Sequence, residues 1–200
     1  MKLVSNAAER NSPFIFEVLD SLLAPGAKVF ECASGTGQHG HFVCSRRPDI
    51  TWQPSDLDPE ALVSIGAWQS EGPLLNMLSP IVFDVSSRPE ALHAQSQDAL
   101  VAINMIHISP WEACLGLLEQ ARSLLKPGGY LYLYGPFIVS GVVTAASNLA
   151  FDQSLRERDK RWGIRELDRV IAEASIRDLV LLKTVSMPAN NLSVILQKSR

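Results

Sequence analysis

Short apolar runs alternate with helix-patterned segments along this chain, and that alternation constrains its fold more than any other feature. "KVFECA" (28–33), "ITWQPSD" (50–56), "PIVFDV" (80–85), "DALVAINMIHI" (98–108) and "YLYLYGPF" (130–137) read as strands. Ser12 and Pro13 predict the N-cap and first position of a helix through "FIFEVLDSLL", which "APG" stops. A second helix is expected near 38–46. Asp58 and Pro59 cap a third, "EALVSIGAWQS", ended by Gly72. Ser109, Pro110 and Glu112 read as a capping box opening "WEACLGLLEQARSLL", which "KPGG" breaks. Residues 147–176 read as helical with an interruption at Trp162-Gly163. "DLVLLKTVS" and "LSVILQK", joined by "MPANN", form a hairpin, so the final strand runs antiparallel. The expectation is an α/β protein with a doubly wound, seven-stranded, mostly parallel sheet, a C-terminal antiparallel hairpin and one domain over 1–200. Ligands of such sheets bind beyond the C-terminal strand ends.

Bulk properties exclude several classes. Hydrophobic residues make up 46% of the 200 and charged residues 20%, the balance of an ordinary globular chain able to bury its own core. The three cysteines are an odd count without C-x-x-C spacing, which argues against a disulfide framework and a zinc site and favours a reducing, cytoplasmic setting. No apolar stretch is long enough for a secretory signal or a membrane span. With a net charge of −3 and no basic patch, neither nucleic acid nor a membrane is expected as a partner. The charge-dense "RERDKRWGIRELDR" (156–169) mixes both signs and reads as a solvated helical face.

The segment "KVFECASGTGQHGH" (28–41) carries the chemistry. Gly35, Gly37 and Gly40 satisfy the literal dinucleotide fingerprint G-x-G-x-x-G. Glu31, at the strand's end, argues against a dinucleotide, because two like charges 4 Å apart at an effective dielectric of ~20 repel by ~4 kcal/mol. Ala33 and Ser34 also lengthen the loop beyond the tight turn that sets pyrophosphate on a helix terminus. A ligand bearing an ammonium and a sulfonium would instead be attracted.

The pattern E-x-A-S-G-T-G (31–37) resembles motif I of class I S-adenosylmethionine-dependent methyltransferases. "PSDLD" after the second strand, "FDV" after the third and the C-terminal hairpin extend the likeness. "AERN", "ASGTGQH", "WQPSDLD", "NMIHISPW", "YGPF", "SNLAFD" and "MPANN" together resemble the methyltransferase-like 26 family, whose bacterial members are described as a domain of unknown function. The resemblance spans about Ala8 to Lys198 and implies S-adenosyl-L-methionine as cofactor. It implies that Glu31, Ala33, Ser34, Gly35, Gly37 and Gln38 hold the donor, with Asp56 or Asp58 and the adjacent Leu57 at the ribose, Asp84 and Val85 at the adenine, and Asn104 beside them. Arg10 is placed to pair with the methionine carboxylate.

Methyl transfer from a sulfonium is an in-line displacement, so holding the nucleophile in line supplies roughly 7–11 kcal/mol. Candidates for the acceptor side follow the fourth and fifth strands: Asn104, His107 as base or orienter, and Tyr134 or Phe137 as a wall. Asn148, Phe151, Asp152 and Arg156 share helical spacing, and Asn190 and Asn191 suit the hairpin turn. "NMIH" departs from the N-P-P-Y/F pattern of enzymes that methylate exocyclic amines. His39 and His41, two residues apart at a helix start, point in different directions and do not suit a metal pair. The reading is a methyltransferase with a small-molecule acceptor; the alternatives are a non-catalytic donor-binding module acting through a protein partner, and a nicotinamide oxidoreductase. Oligomeric state stays open.

Overall fold

The computed structural model describes residues 1–72, 74–87, 94 and 96–200. In chain order the first elements are α1 (Asn6–Asp20), β1 (Lys28–Cys32), α2 (Gln38–Cys44), β2 (Thr51–Asp56), α3 (Pro59–Gln69), β3 (Ile81–Val82) and β4 (Gln97–Ile103). They continue with α4 (Trp111–Leu124), β5 (Leu125–Gly135), β6 (Phe137–Ile138), α5 (Ala146–Arg158), β7 (Arg165–Glu166), α6 (Leu167–Ser175), β8 (Leu179–Met187) and β9 (Asn191–Lys198). Seven strands form one sheet in the order β3-β2-β1-β4-β5-β9-β8, and β6 pairs with β7 apart from it. Strands β1 to β5 are parallel, whereas β9 runs antiparallel to both β5 and β8. This is the class I methyltransferase topology expected from the sequence.

Strand periodicity divides the core between two faces. Phe30, Leu100, Leu131 and Leu133 face α4 and α6, against Leu117, Leu118 and Val170. Their sequence neighbours Val29, Val101 and Tyr132 face the other way, onto Ile15 and Leu19 of α1, Val43 of α2 and Ile65 of α3. Near-continuous apolar strands are therefore buried on both sides.

Several boundaries differ from expectation. Helix α1 opens at Ser5, whose hydroxyl accepts the Ala8 amide at 3.3 Å, and Pro13 lies inside the helix rather than at its first position. The Ser12 hydroxyl donates to the Ala8 carbonyl at 2.7 Å, so Ser12 is not a cap. A mid-helix proline costs about 3 kcal/mol, and the stripe Ala8, Ser12, Ile15 and Leu19, buried on the sheet and α2, outweighs it. The capping box at 109–112 does not form: Ser109 donates to the Met105 carbonyl at 2.8 Å, and Pro110 is a cap without a side-chain bond. Strand β4 stops at Ile103 because Asn104 takes φ 58°. Strand β3 is shorter than 80–85, and the "KPGG" segment bulges within β5 instead of preceding it.

Candidate active site

The C-terminal ends of β1, β2 and β4 open into one cleft of about 380 Å³. Its floor is the turn between β1 and α2. Ala33, Gly35 and Gly37 adopt φ of 54°, 55° and 88° in that turn, so the chain reverses tightly there. Ser34 prolongs the pairing of β1 with β2, donating its amide to the Ser55 carbonyl at 2.8 Å and accepting the Ser55 amide on its hydroxyl at 3.1 Å. At Gly37 a Cβ would stand 2.9 Å from the Ile65 backbone of α3, a second reason for glycine.

The acids of the cleft are held by specific donors. Glu31 is 1% exposed, and its Oε2 accepts the Trp52 indole N–H at 3.0 Å. Gly40 lets α2 lie over this pair, since a Cβ there would meet Trp52 Nε1 at 2.8 Å. Burial pushes the Glu31 carboxyl up to about 7, with the Ser34 and Trp52 side chains opposing the rise and Asp56 adding to it. Asp56 binds the Gly35 amide through Oδ2 at 2.8 Å and the Asp58 amide through Oδ1 at 3.0 Å. Asp58 is occupied as the N-cap of α3, accepting the Glu60 amide at 2.9 Å. Of the two aspartates left open by the sequence, Asp56 lines the cleft.

The far wall comes from the N-terminal segment and the turn after β4. Ser5, Ala7, Ala8 and Asn11 line one side, and Ile103, Asn104, Met105 and Ile108 the other. Asn104 holds its left-handed turn by donating its amide to the Tyr134 carbonyl at 2.8 Å. Gln38 does not line the cleft; its Oε1 accepts the Ser5 amide and the Thr36 hydroxyl, tying the N-terminal segment to the glycine turn. His39 lines the cleft, and its Nδ1 lies 2.9 Å from the Ser12 hydroxyl.

Other residues singled out from the sequence lie elsewhere. Arg10 is exposed on α1 and does not line the cleft, whereas its neighbour Asn11 does. Asp84 accepts the amide and hydroxyl of Ser86 at 2.8 and 2.7 Å, Val85 is buried in the core, and Leu57 is exposed beside Asp56. The Tyr134 ring is buried and its hydroxyl accepts from Asn191 at 3.1 Å; burial raises its pKa. His107 is fully buried, edge-on to Phe137 with centroids 5.0 Å apart, and neither ring nitrogen has a partner among the described residues. Gly135 makes room for it, because a Cβ there would come within 2.5 Å of His107 Nε2. Burial pushes His107 down to about 3, so the imidazole is neutral. Ser5 carried no signal in the sequence, Asn11 only its place within "AERN" and Ile108 only its place within "NMIHISPW".

A smaller cleft of about 240 Å³ lies between the segment after β6 and the β8–β9 hairpin. Phe137, Val139, Val142, Met187 and Leu192 give it an apolar lining, with Asn148 and Asn191 at its edge. Asn148 donates to the Asn190 carbonyl at 3.0 Å, and Asn190 takes φ 58° in the hairpin turn.

The whole fold is shared with solved methyltransferase structures at low sequence identity. An O-methyltransferase family 2 protein from Planctomyces limnophilus, solved with apigenin, superposes with a TM-score of 0.83 at 18% identity, covering 96% of this chain and 58% of that one. An O-methyltransferase family protein from Burkholderia thailandensis gives 0.75 at 19%, covering 94% and 56%. The present chain thus spans rather more than half the length of these two proteins. A Haloferax volcanii protein solved in complex with the Trm112 methyltransferase activator gives 0.77 at 15%, covering 96% and 92%. Residues 2–198 match one family model, and the chain belongs to that family, DUF938, described as protein of unknown function.

Proposed function

We propose that this chain is an S-adenosylmethionine-dependent methyltransferase of the methyltransferase-like 26 type, acting on a small-molecule acceptor in the cytoplasm as a single domain. The observation that carries this reading is the acidic cleft at the ends of β1, β2 and β4, where Glu31, Asp56 and Asn104 meet and, among the described residues, no Lys or Arg side chain lines the wall. Such a cleft suits a cationic nucleoside and repels a pyrophosphate. Asp56 would accept the ribose diol, a role supported by the way the Gly35 amide fixes its carboxylate. Glu31 would face an ammonium, and Ala33 to Gly35 would give a close backbone approach. Asp84 is assigned to the adenine by resemblance alone. The bound donor supplies a methyl group activated on sulfur; the chain's part is to orient it, exclude water and hold the acceptor in line. His107, sealed and neutral, serves this reading as a packing residue behind Asn104.

Calorimetric titration with S-adenosylhomocysteine, beside NADH, tests the reading. S-adenosylhomocysteine is expected to bind and NADH not, and Glu31→Gln at pH 8 should weaken binding by about tenfold. Tighter binding of NADH, or of neither nucleotide, overturns it.

A further inference from the structure

We propose that His39 Nε2 is the proton-accepting atom of the cleft and takes the proton of an acceptor hydroxyl as that oxygen is methylated. The inference rests on the methyltransferase reading and adds the nucleophile class. It starts from a chain of hydrogen bonds that the sequence did not disclose. Ser12 Oγ lies 2.7 Å from the Ala8 carbonyl oxygen, a contact that only a proton between the two makes favourable. A hydroxyl has one proton, so Ser12 can only accept at its 2.9 Å contact with His39 Nδ1. His39 therefore carries its proton on Nδ1, and Nε2 presents a lone pair.

That lone pair is left for the cleft by exclusion. Among the described residues, the sealed side-chain nitrogens and oxygens without a partner are both ring nitrogens of His107 and Nε of Arg177. His39 Nε2 makes no hydrogen bond to a described residue and is not among them, and His39 lines the cleft. Burial holds the imidazolium down to about 4, so the ring is neutral across the physiological range. The carboxylates sharing the cleft are Glu31 and Asp56, while Glu9 and Arg10 on α1 are exposed.

The chemistry selects a hydroxyl. Glu31 is the group complementary to the donor's ammonium, which leaves Nε2 for the other reactant. Ala8, Met105 and Ile108 give the same wall an apolar lining suited to the body of a small phenol. As the oxygen–carbon bond forms and the carbon–sulfur bond breaks, the electron pair stays on sulfur and the oxygen becomes positive. Its proton then passes to Nε2. The sulfonium becomes a neutral thioether and the imidazole an imidazolium, so net charge is conserved. A weakly basic imidazole suffices, because the proton leaves an oxygen that is already being alkylated.

The test is long-range proton–nitrogen NMR of the imidazoles in ¹⁵N-labelled protein at pH 7, with His39 assigned by His39→Gln. The free protein should show His39 protonated on Nδ1 and bare at Nε2, and Ser12→Ala should release this into a mixture of tautomers. Saturation with S-adenosylhomocysteine should leave Nε2 in place. Added phenol should then move Nε2 upfield, while anisole, which has no hydroxyl proton, should not. A protonated Nε2 overturns the proposal, as does a shift produced by S-adenosylhomocysteine alone, or no response to phenol up to its solubility. Failure of the methyltransferase reading is distinct: calorimetry then shows no S-adenosylhomocysteine binding, whatever the tautomer.

Discussion

Ala33 occupies a left-handed position, φ 54°, in a turn whose other left-handed residues are glycines. An L-residue there carries about 1–2 kcal/mol of strain, and the larger unfolded-state entropy of glycine offsets about 0.4–1 kcal/mol of any relief. Ala33→Gly is therefore expected to raise stability by about 0.5 kcal/mol in urea titrations. Gly37→Ala is expected to do the opposite by about 2 kcal/mol, because it combines φ 88° with a 2.9 Å contact on the Ile65 backbone. Equal effects at both positions would mean that local strain, rather than the approach of α3, sets the turn. The glycine turn was legible in the sequence because it is local chemistry. The strain at Ala33 was not, since the residue type alone does not reveal φ.

At the scale of elements, the turn between β4 and α4 owes its shape to a residue far along the chain. Arg165 of β7 donates from Nε to the Ile106 carbonyl at 2.7 Å and from Nη2 to the carbonyls of Ser109 and Arg161. Burial lowers the pKa of Arg165, yet its guanidinium caps carbonyls rather than a carboxylate. Arg165→Met leaves those carbonyls unpaired and is expected to cost about 2 kcal/mol. It should also speed hydrogen exchange at the Ile108 amide, which closes the turn onto the Asn104 carbonyl. A loss of stability without faster exchange at Ile108 would show that Arg165 supports α6 and not the cleft. In the sequence this arginine belonged to a charge-dense segment that reads as solvated surface. Pairing of β7 with β6 brings it inward, and no local pattern announces that contact.

At the scale of the whole molecule, three buried titratable groups set opposing pH dependences. Glu31 keeps its proton to about 7 when folded but ionises near 4.5 when unfolded. The native state then binds more protons between those values, so this group's contribution falls as pH rises through the window, by ~3 kcal/mol in all. His39 and His107 behave oppositely. They titrate at about 4 and about 3 when folded against 6.5 unfolded, so each withdraws stability as pH drops below 6.5. Between pH 7 and 5 each histidine loses ~2 kcal/mol and Glu31 returns about as much as one of them. Urea midpoints should show a modest loss for the wild type and a steeper one for Glu31→Gln, which gains most at pH 8. His107→Leu should be nearly flat over the same range. A Glu31→Gln protein no more stable than wild type at pH 8 would mean that the carboxylate is not desolvated as the structure indicates.

The strand succession, the antiparallel hairpin, the glycine turn and the acids at the ends of β1 and β2 were all legible in the amino-acid order. Each depends on the spacing of apolar residues or on turn chemistry within a few positions, and backbone geometry follows from those directly. Packing settled that Asp56 faces the cleft while Asp58 caps α3, that Ser5 caps α1, and that Asn11 rather than Arg10 reaches the site. It also decided that the imidazole lining the cleft is His39 and the sealed one His107. Accessibility and side-chain direction come from how distant segments pack: α1 against α2 fixes His39 through Ser12, while Gly135 and Phe137 enclose His107. A residue's own neighbours in sequence carry no record of those contacts.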